Sequence, residues 1–433
     1  MRIGYATRDI TPSPGLTLSG FAARCNRPAE GVDDPISVSA IAAEDGSAHA
    51  LVLSFDLLGL GPELDTLVDT AVRQRLGGRA FRQYRVATHT HGAPAAVTLL
   101  GCGIPDMTYW HHVADMAARA AEDAVHQLRP AVVRWTTVPL HGHNRNRRHL
   151  LPDGSVRMTV PEHVHPTKRG PTWDTALLVR FDDTAGHPIA GIIHWAAHPD
   201  TVSSMQVTAD FPGELRRRLA ACYGLPFVYL QGACGNLNPP FRRMVREEML
   251  ENVDRLMAPL GTVAWPAAPA TDTPFAAVSI PFSLPYGPAM SPEALTAFIQ
   301  DMTEAARTGT RPAAAIATLS DILNTEPGQP AKQTELQHFA RIMLEWAACV
   351  REAPIPPRVP CTAGVWRLGG LAFCFAGVEP FAETALALSA ACPGTQVALV
   401  GYASPLLGYL PTDEALADGG YEADYAYRFY AHP

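Results

Sequence analysis

Tyr84-Arg-Val-Ala-Thr-His-Thr-His-Gly-Ala-Pro94 begins as a β-strand and ends as a Gly/Pro loop that carries two histidines. Residues two apart on a strand share one face, so His89 and His91 are expected to point at one site beyond the strand end. Taken alone, such a pair reads equally as metal-binding or catalytic groups and as hydrogen-bonded surface histidines. A second stretch has the same build: Ile189-Ala-Gly-Ile-Ile-His-Trp-Ala-Ala-His-Pro-Asp200 runs from an apolar strand into a Pro-bounded loop. His194 falls inside the apolar pattern and reads as a core histidine. His198 stands at the strand end, where loops collect functional groups, and is the ligand candidate.

Working outward, further strands are expected at Ala50–Phe55, Val132–Trp135, Ala176–Phe181 and Pro226–Leu230, with helices over Pro62–Leu76 and Met107–Leu128. That rhythm predicts an α/β fold, a mixed β-sheet core flanked by helices. From Ala264 to Pro360 the composition shifts to Ala and Pro, with helical patterns near Ser291–Arg307 and Thr334–Arg351. This stretch is expected to be an α-helical excursion or cap on the main domain. Gly364–Leu368, a Gly369-Gly370 turn and Leu371–Phe375 then read as a hairpin, expected to return to the core of the main sheet.

The 433 residues exceed the size at which one core normally keeps growing, which allows two or three units or one large α/β domain. With 47% apolar and 18% charged residues, the chain has material for a large core. A net charge of −8 and a pI near 6.0 argue against nucleic-acid and anionic-membrane binding. No stretch is long and apolar enough for membrane insertion, and the N-terminus lacks a signal pattern, so the expected location is cytoplasmic and the expected partner a small-molecule substrate. Oligomeric state stays open. The eight cysteines (25, 102, 222, 234, 349, 361, 374 and 392) form no CxxC pair and read as buried free thiols.

Other segments carry weaker signals. Thr208-Ala-Asp-Phe-Pro-Gly-Glu214 reads as a helix start with Asp210 as its N-cap. Leu230-Gln-Gly-Ala-Cys-Gly-Asn-Leu-Asn-Pro-Pro240 is a Gly loop in which Cys234 reads as a packed residue rather than a nucleophile. His141-Gly-His-Asn-Arg-Asn-Arg-Arg-His149 clusters cations, either as a solvated turn or to hold an anion with one arginine. Glu379 follows a strand in Phe375-Ala-Gly-Val-Glu-Pro-Phe381, and Tyr409 and Tyr421 follow glycines.

In order along the chain, Gly4–Pro12, Ser19–Ala22, Thr88–Pro94, Asn144-Arg145, Trp195–His198, Ala209–Gly213, Gln231-Gly232, Gly377–Glu379, Gly408-Tyr409 and Tyr421-Glu422 resemble the motifs of the neutral/alkaline (non-lysosomal) ceramidases. The resemblance covers nearly the whole chain and the catalytic N-terminal domain only, as a single domain over 1–433 without that family's C-terminal immunoglobulin-like domain. It implies a Zn2+ ion held by His89, His198, Glu379 and Tyr409. It also implies that His91, Arg145 and Tyr421 line the reacting centre, where zinc-activated water attacks a carbonyl. The family's serine after Gln-Gly is replaced here by Asn238, which cannot form an acyl intermediate but can hydrogen-bond a substrate. The expectation is a hydrolase of an amide (N-acyl) bond in a soluble metabolite. Ester or lactone hydrolysis at the same site, and a non-catalytic binding protein of the same fold, are the alternatives.

Overall fold

Successive side chains of the main sheet alternate between two buried faces. The computed structural model describes all residues except 159, 161–164, 241–243, 268–274, 288, 311, 313–331 and 353–355. Its larger sheet consists of β1 (Arg2–Asp9), β2 (Ser37–Asp45), β3 (Ala48–Phe55), β4 (Arg82–Ala87), β5 (Arg129–Pro139), β6 (Thr175–Asp183), β7 (Pro188–Trp195) and β8 (Phe227–Gln231). The order across it is β8-β7-β6-β5-β1-β2-β3-β4, with β3–β4 and β7–β8 parallel and the remaining pairs antiparallel. Both faces are covered. Ala40, Ala42, Leu51 and Leu53 bury with α1 (Pro62–Arg75) and α2 (Met107–His126), while Ile41, Ala43, Ala50 and Val52 bury on the opposite side.

That opposite side meets a second sheet. A hydroxyl of β3, Ser54 Oγ, donates to Tyr229 O of β8 at 2.7 Å, so the large sheet curls until its two ends approach. The second sheet, β9 (Phe275–Pro285), β10 (Arg358–Leu368), β11 (Leu371–Ala376) and β12 (Gln396–Val400), packs Trp366, Phe373 and Phe375 into the same core as Ile3, Val86 and Phe181. The hairpin at Gly369-Gly370 is therefore present, but it pairs with β9 and β12 and lies on the main sheet rather than in it. Its apolar side chains are satisfied by face-to-face packing, which local sequence does not distinguish from lateral pairing.

The excursion is helical and also supplies strand. α5 (Pro292–Thr308) and α6 (Gln333–Glu352) lie between β9 and β10, and β9 pairs with β10 along eleven residues each. Parts of the expected 264–360 excursion, 268–274, 288, 311, 313–331 and 353–355, lie outside the described residues. Elsewhere α3 (Asp210–Tyr223) and α4 (Arg246–Leu260) cover Leu178, Ile193 and Trp195, and α7 (Ala382–Ala391) follows Glu379. All eight cysteines are free, but only Cys102 and Cys234 are fully buried, and Cys222 and Cys349 are exposed. No helix among the described residues is long and apolar enough to cross a membrane.

Candidate metal centre and active site

Strand ends deliver the histidines. Beyond β4 the chain is held by Thr88 N–H to Phe55 O and His89 N–H to Leu57 O, and His89 itself adopts φ +70°. A non-glycine residue in the left-handed region is strained, and the hydrogen bonds on its flanks hold it there. His89 and His91 thus converge through this turn rather than by sharing a strand face. Beyond β7, His198 N–H donates to Leu237 O. One buried amide ties the two loops together: Gln231 Nε2 donates to Thr88 O and to Ala197 O, both at 3.0 Å, one residue before each histidine.

The rings of His89, His91 and His198 lie within 5.2 Å of one another, and their candidate ligand nitrogens all fall within 4.8 Å. Their tautomers follow from the partners of their outer nitrogens. His89 Nδ1 must donate to Leu58 O at 2.6 Å, and His198 Nδ1 to Cys234 O at 3.2 Å. The two Nε2 atoms face each other at 3.1 Å, and with each ring carrying its single proton on Nδ1 they present lone pairs to the same point. Glu379 Oε2 adds a third acceptor 3.3 Å from His89 Nε2 and has no hydrogen-bond partner, and neither nitrogen of His91 has one. All four residues are buried. Burial, reinforced by neighbouring cationic groups, holds the His91 and His198 imidazoles neutral, well below the ordinary histidine range. Electron pairs converging in a buried space without a donor are the arrangement a cation satisfies, so the donor set fits a metal ion.

A two-residue parallel ladder sets the remaining side chains. Glu379–Pro380 pairs with Tyr409–Leu410, placing Glu379 opposite Tyr409. Tyr430, from the C-terminal turn, donates to Glu379 Oε1 at 2.6 Å. Tyr421 packs edge-on to Tyr409 with ring centroids 5.9 Å apart. These tyrosines line one cavity with Gly20, His89, His91 and Glu379. Gly20 is required where it stands: at φ +92° a Cβ would fall 2.5 Å from the His91 ring.

Arg147, not Arg145, is the arginine that reaches Tyr409. Its Nη2 donates to Tyr409 Oη at 2.9 Å, its Nη1 to Asn238 Oδ1 at 3.2 Å and its Nε to Glu422 Oε1 at 2.8 Å. Arg148 holds the other oxygen of Glu422. Arg145 is exposed on a short ladder in which Asn238 is its register partner. The amide of Asn238 is taken up by Arg147 and by Asp200, and Asn238 is not among the residues lining the cavity.

Three further expectations can be placed. His194 is a satisfied core residue, with Nε2 2.9 Å from Leu399 O. Asp210 is not an N-cap: it is the first residue of α3, at φ +52°, and its carboxylate accepts from Thr201 N, Thr201 Oγ1 and Phe211 N. A carboxylate surrounded by donors on the 201–202 loop is better satisfied there than over its own helix. Cys234 is enclosed, and burial pushes its thiol well above the ordinary range, with Tyr402 Oη 2.9 Å away. It lacks the thiolate a nucleophile needs. The sequence reading did not assign Arg24, Arg147, Glu422 or Tyr430. Arg24 is buried and donates to His91 O at 2.5 Å. A larger cavity of about 230 Å³ between α3 and α4 contains none of the three histidines or Glu379, so volume alone does not locate the chemistry.

No family model and no curated protein matches the sequence. Solved structures share the fold, two ceramidases among them. A ceramidase complexed with C2 aligns over 99% of this chain and 73% of its own, with a TM-score of 0.66 and 17% identity. The neutral ceramidase of Pseudomonas aeruginosa aligns over 99% and 72%, with a TM-score of 0.67 and 19% identity.

Proposed function

Starting from the neutral ceramidase fold, we propose that this chain is a zinc-dependent hydrolase that cleaves an amide (N-acyl) bond of a soluble small molecule. The observation that carries the reading is the approach of His89 Nε2 and His198 Nε2 to 3.1 Å, with the unpartnered Glu379 Oε2 beside them. His89, His198, Glu379 and Tyr409 form the ligand set, a mixture of nitrogen and oxygen donors that suits zinc. When bound, zinc supplies Lewis acidity and lowers the pKa of water from about 15.7 towards 7.

The chain's own residues do the rest. His91 is neutral and buried, with both nitrogens unpartnered, so one N–H is available to the carbonyl oxygen as negative charge develops on it. Tyr421 lines the same cavity and presents a second donor. Arg147 acts as a positioning residue, since all three of its nitrogens are engaged, and it fixes Tyr409. Arg145 is the residue expected to line the reacting centre and steady the oxyanion; Arg147 has the different role of holding Tyr409. Asn238 serves by holding Arg147, and no covalent acyl-enzyme is required.

The test is turnover of a panel of N-acyl amides, esters and lactones by protein stripped with a chelator and then reloaded with zinc. Amide cleavage that disappears on stripping and returns with zinc is the expected result. Cleavage that survives stripping, or a preference for esters or lactones over every amide, would overturn it.

A further inference from the structure

His91 differs from the two histidines beside it in what holds its ring. His89 Nδ1 is bound to Leu58 O and His198 Nδ1 to Cys234 O, whereas neither nitrogen of His91 has a partner. A ring without such a bond takes its direction from its main chain and from what packs against it. The main chain of His91 is gripped on both sides: its N–H donates to Pro199 O at 3.2 Å, and its carbonyl accepts from Arg24 Nη1 at 2.5 Å. Phe21 packs against the ring, with centroids 4.8 Å apart. Arg24 touches both supports, because its guanidinium carbon also lies 4.7 Å from the centre of the Phe21 ring.

Arg24 is built into this place. It ends a short turn, Ala22–Arg24, and is only 4% exposed. Its planar fork reaches three carbonyls, since Nη1 also donates to Ser19 O and Nη2 to Ser204 O, both at 2.9 Å. Three segments far apart in sequence are thereby fixed to one another. Among the described residues its acceptors are carbonyl oxygens and no carboxylate, and burial lowers its pKa only to about 10, so the cation persists at neutral pH. Burying a cation without an ionised partner is costly, and an apolar side chain would fill the space without that cost.

On the hydrolase reading above, in which His91 donates to the developing oxyanion, we propose that Arg24 is a positioning residue for the reaction, aiming the His91 ring into the cavity by holding the His91 carbonyl and the Phe21 ring together. Arg24 does not line the cavity, so it acts through His91.

The experiment uses the full chain with zinc supplied and compares Arg24→Met and Arg24→Lys, each alone and combined with His91→Ala. Arg24→Met is expected to lower kcat about 10–100-fold, part of what losing an oxyanion donor costs, with KM and zinc content near native. Arg24→Lys keeps the charge and part of the bonding, so it is expected to recover part of that loss, and it replaces the methionine variant should that one fail to fold. On the His91→Ala background the same substitution is expected to cost less than about threefold, because the residue it acts through is gone. An equal loss on both backgrounds would overturn the proposal, as would loss of zinc from a folded Arg24 variant. Nitrogen NMR of protein carrying isotope-labelled histidine keeps the two readings apart, because it requires no turnover. The His91 ring signals, assigned by their absence from His91→Ala, should move in the Arg24 variant while those of His89 and His198 stay. If no amide is cleaved, the hydrolase reading fails, yet a His91 ring that moves alone would still support the role of Arg24, and one that does not move would sink it.

Discussion

Glu379 is held by a single phenol. Tyr430 donates to its Oε1 and leaves Oε2 turned towards His89, so the carboxylate's orientation depends on a residue of the C-terminal turn as well as on its own strand. Outer partners of metal ligands typically contribute 10–100-fold to affinity. Tyr430→Phe is therefore expected to weaken zinc binding by about that factor with little change in melting temperature, as read by competition with a chromogenic chelator. Unchanged zinc affinity would remove Tyr430 from the support of the site. Asp210 gives a prediction about pH. Burial pushes its carboxyl up to about 7, against the pull of Thr201 and the Phe211 amide. The unfolded carboxyl titrates near 3.9, so between about pH 4 and 7 the folded chain holds a proton that the unfolded chain has lost. This group's contribution to stability consequently falls as pH rises through that window. Asp210→Asn lacks the titration, so the melting temperature of the native protein minus that of the variant should be larger at pH 5 than at pH 8. The reverse order would contradict the assignment.

Between elements, the site depends on Gln231, whose side-chain amide spans the loops after β4 and β7. Gln231→Met keeps the volume but leaves Thr88 O and Ala197 O without these donors, each lost partner costing about 1–3 kcal/mol. Both lower stability and weaker zinc retention are expected, measured on the same sample by denaturation and metal analysis. Normal zinc retention in a destabilised variant would show that the amide holds the fold without aligning the histidines. Much of the element layout was legible. Ala50–Phe55, Ala176–Phe181 and Ile189–Trp195 announce themselves through β-branched and apolar residues, and the helices at 62 and 107 through their periodicity. β2, Ser37–Asp45, was silent because its alanines bury on both faces and give no alternation. β9 was hidden by Pro281 and Pro285, which the outer strand of the second sheet tolerates.

For the whole molecule, what local sequence does not encode is which distant segments meet. Two histidine loops at strand ends could be recognised, but their convergence requires the large sheet to curl until β3 and β4 approach β8. The placement of the 364–375 hairpin shows the same limit, since an apolar strand pair suits the middle of one sheet or the face of another. The basic stretch shows it at finer grain: of the arginines at 145, 147 and 148, Arg147 alone reaches Tyr409, because Arg147 N–H binds Asn236 O and sets the register. The C-terminal tyrosines and the helical excursion then close one wall over the histidines, joining parts of the chain that lie far apart in sequence.

The central claim is that this convergence exists to hold a metal ion. Elemental analysis of purified protein, alongside the His89→Ala/His198→Ala double variant, tests it most directly. The account predicts one zinc per chain in the native protein and none retained by a folded double variant. Stoichiometric zinc in the double variant, or a native protein that takes up no zinc when supplied with it, would contradict it.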